Sequence, residues 1–206
     1  MYLAIFGGTG HTGRHLVDRA LGHGHRVTVL ARDATKLPIR EHLHVIEGDI
    51  RSAEAVARTV AGADAVISAL GQRRWGTTVC TDAMRTVLPA MAAHGVRRLV
   101  ALSNYGTADS RRPGVYATTV WIAIRSIMRD KERMEELIRG GDTEWTIVRP
   151  AALTDGPRTA RYRTGTDLRL TFRSRVTYAD VADFMLAQLD TDEYVHRAVA
   201  IGPVRD

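Results

Sequence analysis

The chain has 206 residues, 45% hydrophobic and 25% charged, which suits one ordinary globular domain with a substantial core. Its formal net charge of +6 is carried almost wholly by arginine, since only Lys36 and Lys131 are lysines. The arginines are dispersed, with doublets only at Arg73-Arg74, Arg97-Arg98 and Arg111-Arg112, and aromatics do not interleave with them. That pattern argues against a nucleic-acid surface, and no apolar run reaches the ~18 residues of a membrane span or forms a secretory signal.

The first apolar run, Tyr2 to Phe6, reads as a buried strand, and Gly7, Gly10 and Gly13 follow it at spacing three. Helix-forming sequence begins at once with Arg14. Strand, glycine turn and helix start, in that order, make the first turn of a dinucleotide-binding unit. There Gly7 allows a tight turn at positive φ, Gly10 lets the backbone approach a pyrophosphate, and Gly13 lets the helix pack on the strand. The N–H groups at the helix start, with Thr9, His11 and Thr12 in the turn, then face an anion. His11 itself reads as a surface residue.

A helix runs from Thr12 to about His23, and Arg26 to Ala31 is a second, largely buried strand. Arg32 follows it, about twenty residues past the glycine turn, where an acid suits the ribose hydroxyl of NAD and an arginine the 2′-phosphate of NADP. Asp33 adjoins it, but the charge of Arg32 inclines the site to NADP over NAD. His44 to Glu47 is a third strand, after which Asp49-Ile50 is placed to line the adenine. Ser52 caps a helix through Ala61, and Ala65 to Ser68 is a fourth strand ending in Ala69-Leu70-Gly71. A helix from Thr78 to His94 contains Pro89, expected to kink it, and Cys80, read as a small buried hydrophobe. One cysteine permits no internal disulfide and fits a reducing, cytoplasmic setting.

Arg98 to Leu102 is the fifth strand, ending in Ser103-Asn104-Tyr105-Gly106. A polar loop then leads to one long helix, Tyr116 to Arg139, with a heavily charged second half carrying Lys131. Trp145 to Arg149 is a sixth strand stopped by Pro150. Residues 151–175 show a weaker pattern, with alternation at Leu168 to Phe172, and read as the substrate-shaping region. A helix from Tyr178 to Leu189 and a short strand, Ala198 to Ile201, complete the chain. Alternating strands and helices predict an α/β fold, a single-domain Rossmann-type, doubly wound parallel sheet over 1–206 with helices on both faces. The histidines show no metal-ligand spacing, so no metal is expected.

The stretches AIFGGTGHTG at 4–13, VTVLARD at 27–33, GDI at 48–50, TVAGADAVI at 59–67, AAHGVRRLVALS at 92–103, DFML at 183–186 and TDEY at 191–194 span essentially the whole chain. With them the chain resembles the NAD(P)-binding atypical short-chain dehydrogenases of NmrA-like type, nearest their biliverdin-IXβ reductase (NADPH-flavin reductase) branch. The resemblance implies an NADPH-dependent reductase in which Gly7, Gly10, Thr12 and Gly13 hold the pyrophosphate and Arg32 the 2′-phosphate. It also implies that Ser103 faces the nicotinamide and that Lys131 reaches towards the pocket. Two departures stand out. Pro150-Ala151-Ala152 replaces a histidine that the related reductases carry after the sixth strand, and no tyrosine is followed four residues later by lysine. A tyrosinate with a pKa lowered by an adjacent ammonium is therefore not assembled locally.

Transfer to a flavin, quinone or conjugated carbonyl needs less of the protein, because the acceptor spreads its charge and takes a proton from solvent. The expected activity is hydride transfer from NADPH to such a small molecule by a cytoplasmic monomer or homodimer. Ser103 and Tyr105, with Lys131, are its candidate catalytic residues. A natural-product tailoring reductase or isomerase and a non-catalytic NADP(H)-sensing regulator are the alternatives.

Overall fold

Apolar stretches with few polar interruptions build the centre of one large sheet. β1 (Tyr2–Phe6), β2 (Arg26–Ala31), β3 (Leu43–Glu47), β4 (Ala65–Ser68), β5 (Arg98–Leu102) and β6 (Glu144–Pro150) all run parallel. The structure, a computed structural model, describes residues 1–71, 76–110, 125–171 and 173–204. Three short strands follow β6, namely β7 (Ala152–Thr154), β8 (Tyr162–Gly165) and β9 (Arg175–Thr177), before the last strand, β10 (Arg197–Pro203). The sheet order is β3-β2-β1-β4-β5-β6-β10-β8, and β7 pairs with β9 in a small separate sheet.

Alternate residues along each central strand point to opposite faces, so each face collects its own core. Leu3 and Ile5 of β1 join Val27, Val29, Ile67 and Val199 on one side. Ala4 and Phe6 join Leu30, Val66 and Ile147 on the other. Among the described residues, five helices cover these faces: α1 (His11–Gly22), α2 (Ala53–Val60), α3 (Val79–Ala93), α4 (Arg125–Arg139) and α5 (Tyr178–Ala187). α1 lays Leu16, Val17 and Ala20 on the first face, joined by Val181 and Met185 of α5. α2, α3 and α4 bring Val56, Met84 and Ile138 to the second. This is the expected doubly wound arrangement, with the turns after the parallel strands gathered along one edge.

Two expectations change. The sheet is mostly parallel, not wholly so, because β8 runs antiparallel along β10 with Ile201 opposite Thr164. Pro89 lies within α3, as read from the sequence, and the helix runs on to Ala93. The alternation at Leu168 to Phe172 is not a strand: Leu168 and Leu170 lie in irregular backbone, and Phe172 lies outside the described residues. Both leucines pack on the first core, and Leu170 sits over Gly202, where its Cδ2 would be 2.3 Å from an added Cβ. The period-2 pattern thus comes from a loop pressed onto β10. Of the long helix expected from Tyr116, the part from Arg125 is α4; 116–124, like Arg73-Arg74 and Arg111-Arg112, lie outside the described residues.

Candidate active site

The strand order reverses between β1 and β4, and an open α/β sheet holds its ligands beyond the carboxyl ends of the strands at such a point. Gly7 ends β1 at φ +82°, and a Cβ on it would lie 2.8 Å from the Ala69 carbonyl carbon. Only glycine lets the two strand-end turns approach so closely. Gly13 is more constrained still, since its Cβ would stand 2.0 Å from the Gly7 oxygen. Gly10 is the N-cap of α1 and makes no side-chain cap. Its carbonyl accepts from Arg14 N, so the N–H groups between them have no intrahelical partner. A Cβ on Gly10 would meet only the Gly7 oxygen, at 3.3 Å, which leaves the outer side of the turn open. This backbone cradle fits a pyrophosphate at a helix N-terminus. Sequence reading passed over Gly8, whose Cβ would lie 2.7 Å from Val29 Cγ1.

Arg32 emerges exposed at the end of β2 and has no carboxylate partner among the described residues. Asp33 turns away into a short 3-10 turn at Ala34–Lys36. Its Oδ1 accepts from Thr35 N at 3.1 Å and Thr35 Oγ1 at 2.5 Å, and Lys36 Nζ lies 3.3 Å from its Oδ2. The Thr35 and Lys36 donors hold the Asp33 carboxyl below its ordinary pKa. At the end of β3, Asp49 accepts from Arg51 N at 2.9 Å, and the buried Ile50 presents its carbonyl to Thr86 Oγ1. Ala69 is buried, Leu70 half-buried and Gly71 exposed.

Ser103, Tyr105 and Lys131 occupy different situations. Ser103 is fully buried, and its hydroxyl donates to Glu135 Oε1 at 2.5 Å instead of facing solvent. Glu135 also receives Thr107 Oγ1 at 2.9 Å, Arg149 Nε at 3.1 Å and Arg149 Nη2 at 2.6 Å. Arg149 reaches on to Asp109 at 2.6 Å. Burial works against its charge, but Glu135 and Asp109 outweigh it and raise the Arg149 pKa. Lys131 is 3% exposed, and its Nζ donates to Leu70 O at 2.7 Å and Leu102 O at 2.6 Å. It thus ties the end of β5 to the turn after β4. Next to it, Asp130 accepts from Cys80 N and Thr81 N and caps the start of α3. Cys80 is buried there, and its thiol pKa is raised mainly by that burial. Ile127 stands four residues before Lys131, where a catalytic tyrosine would be. Tyr105 is half-buried, and its oxygen accepts from Leu170 N at 3.3 Å.

Glu135 and Asp130 escaped sequence reading because the second half of α4 looks like a solvated face, and Arg149 was legible only as the polar end of β6. A signal was present: Lys131 and Glu135 share the stripe of Met128 and Ile138 at helical spacing.

His11 lies at the mouth of the crevice. Its ring stacks on Tyr178, centroids 4.9 Å apart, and its Nδ1 lies 3.7 Å from Asp155 Oδ1. Behind them Asp180 gathers the 159–160 backbone, accepting from Thr159 N and Ala160 N at 2.8 Å and from Thr159 Oγ1 at 2.7 Å. Burial opposes its ionisation, but these bonds and one from Thr177 outweigh it, so the Asp180 pKa is lowered. A lowered folded-state pKa stabilises above the unfolded value near ~3.9 and is lost as pH falls through the folded value. Amide protection factors at Thr159 and Ala160 are therefore expected to hold from neutrality to about pH 4 and to fall in stronger acid. In Asp180→Asn they are expected to be low throughout.

A family model described as NAD(P)H-binding matches residues 7–192. The chain belongs to this NAD(P)H-binding family. The match runs from the glycine turn to the loop after α5, and it agrees with the resemblance to atypical short-chain dehydrogenases. The chain is 24% identical over 201 residues to the uncharacterized protein YwnB of Bacillus subtilis, covering 94% of this chain and 93% of that protein. It is 29% identical over 158 residues to a ceramide reductase of Caulobacter vibrioides, covering 73% of this chain but only 46% of the relative. Among solved structures, the anaerobillin reductase ChuY of Escherichia coli O157:H7 superposes with a TM-score of 0.84 at 21% identity, covering 98% of this chain and 96% of that one. A short-chain dehydrogenase/reductase of Veillonella parvula in complex with NADP also gives 0.84, at 18% identity, covering 98% and 94%. These structural likenesses show the shared fold. No helix among the described residues is long and apolar enough to cross a membrane.

Proposed function

We propose that the protein is an NADPH-dependent reductase that passes a hydride to a flavin, quinone or similar conjugated small molecule. When bound, the reduced nicotinamide supplies the hydride. The backbone of Gly7, Thr9, Gly10, His11, Thr12 and Gly13 would hold the pyrophosphate, and Arg32 the 2′-phosphate. Asp49 and Ile50 would line the adenine, and Ala69-Leu70-Gly71 the crevice floor between the strand ends. Asp33 does not compete for the ribose, because Thr35 and Lys36 already occupy its carboxylate.

The observation that carries the choice of acceptor is that the buried polar groups behind the crevice are engaged within the protein. Ser103 donates to Glu135, Arg149 donates to Glu135 and Asp109, and Lys131 donates to two main-chain carbonyls. Ser103 and Lys131 are then positioning residues that fix the ends of β4 and β5. Tyr105 accepts from Leu170 N and keeps its own phenolic proton to donate to a bound acceptor. An acceptor that delocalises charge and takes its proton from water suits such a site. The same engagement favours a second reading, an NADP(H)-sensing protein without turnover.

Arg32→Ala tests the cofactor assignment. With a quinone as acceptor, the ratio of kcat/KM for NADPH to that for NADH is expected to fall roughly 10- to 100-fold, the worth of a charged hydrogen bond. An unchanged ratio would remove Arg32 from the 2′-phosphate site.

A further inference from the structure

The turn after β3 is held from outside the sheet by α3. Asp82 and Thr86 stand one helical turn apart, and both reach the segment Asp49-Ile50-Arg51. Thr86 Oγ1 lies 2.8 Å from the Ile50 oxygen, and Arg51 meets Asp82 Oδ2 through Nε at 2.9 Å and Nη2 at 2.8 Å. Thr78 Oγ1 donates to the same oxygen at 3.0 Å, which steadies the carboxylate, and Arg85 Nη1 stands 3.7 Å from the other oxygen.

Arg51 has two carboxylates within reach and is shared unequally between them. Its Nη1 is 3.8 Å from Asp49 Oδ1, too far for a hydrogen bond, and that oxygen already accepts from Arg51 N at 2.9 Å. Asp49 Oδ2 accepts nothing among the described residues. Asp82 is the more sheltered partner, its side chain 16% exposed against 45% for Asp49, so water screens its pull on the guanidinium less. Without the charge of Asp82, Arg51 would turn to Asp49, and the open oxygen would be drawn into an ion pair. An open acceptor at the turn that lines the adenine suits the donor that sets adenine apart from hypoxanthine, its exocyclic amino group.

We infer that Asp82 is a positioning residue for the nucleotide base: by holding Arg51 against α3 it keeps the Asp49 carboxylate open to the amino group of adenine. Asp82 acts through Arg51 and Asp49 and need not touch the nucleotide itself. The inference rests on the nucleotide-binding part of the reductase reading. It needs no hydride transfer, so equilibrium binding reads it.

The fluorescence of the reduced nicotinamide reports the binding of NADPH and of its hypoxanthine analogue, which carries a carbonyl oxygen in place of the 6-amino group. The parent protein is expected to bind NADPH roughly tenfold or more tightly than the analogue, the worth of a charged hydrogen bond. In Asp82→Ala the two are expected to bind nearly equally, because Arg51 falls onto Asp49. Removing that arginine as well, in Asp82→Ala/Arg51→Ala, is expected to restore the preference for adenine. A merely structural role for Asp82 gives no such rescue. Asp82→Asn keeps the shape and an acceptor for Thr78; it is expected to shift in the same direction and to be rescued in the same way. It carries the test if thermal unfolding shows that Asp82→Ala loses the fold. Equal binding of the two nucleotides by the parent, a preference that survives the loss of Asp82, or a double variant that stays at parity overturns the inference. Binding of neither nucleotide by the parent would sink the cofactor reading and this inference with it. Selection for adenine without NADPH oxidation would leave the inference standing and sink the reductase reading alone.

Discussion

Replacing Glu135 by alanine is expected to lower stability by about 3–5 kcal/mol, which for a chain of this size lowers Tm by roughly 6–20 °C. Glu135 is only 1% exposed and receives four hydrogen bonds, from Ser103, Thr107 and both Nε and Nη2 of Arg149. Its removal strands a buried guanidinium with Asp109 as its remaining close carboxylate, and that carboxylate is 71% exposed. An uncompensated buried charge is the costly outcome of breaking such a pair, more than the loss of the pair's attraction. The damage is also directional. Ser103, Thr107 and the segment after β5 lose their common anchor, so nucleotide and acceptor binding are expected to weaken along with stability. Glu135→Gln, which keeps the shape and part of the bonding, is expected to cost less. Thermal and denaturant unfolding of both variants checks the order. A Glu135→Ala protein as stable as the parent would mean that the network does not hold the crevice floor.

The second large effect concerns the glycine turn, and it separates two glycines that look equivalent in a motif. Gly13→Ala is expected to lose both stability and cofactor. Its Cβ would lie 2.0 Å from the Gly7 oxygen, 2.7 Å from the Gly7 carbonyl carbon and 2.8 Å from Gly8 Cα, all backbone atoms that cannot rotate away. Either α1 lifts off β1 or the turn opens, at a cost of about 1–3 kcal/mol for overpacking. The displacement also moves the anion-binding N–H groups, for which a misplacement on the order of 1 Å costs roughly 100-fold in activity. Gly10→Ala meets only one atom, at 3.3 Å, and is expected to keep the fold while blocking the approach of the pyrophosphate. Unfolding curves beside NADPH titrations of the two variants separate these outcomes. Equal losses of stability would contradict the packing role assigned to Gly13.

Much of this organisation was legible because it is local. The apolar runs of β1, β4 and β5 and the spacing of Gly7, Gly10 and Gly13 carry their structural consequences within a few residues. Arg32 was legible for the same reason, since its position follows directly from the strand before it. What stayed hidden depends on distant partners. Ser103 marks a strand end as polar, but the group that claims its hydroxyl lies 32 positions later in α4. Lys131 looks like a helix-surface lysine until the carbonyls of Leu70 and Leu102 converge on it. The short strands β7, β8 and β9, three or four residues each and rich in arginine and threonine, lack the length and apolar content by which strands announce themselves. The loop leucines at 168 and 170 mimic a strand because both are pulled onto β10.

The most direct measurement is steady-state oxidation of NADPH and of NADH across flavins, quinones and conjugated carbonyls. Turnover of at least one conjugated acceptor is expected, with NADPH favoured over NADH. Tight NADPH binding with no turnover of any of them would contradict it, and would leave the protein as a sensor of the nucleotide.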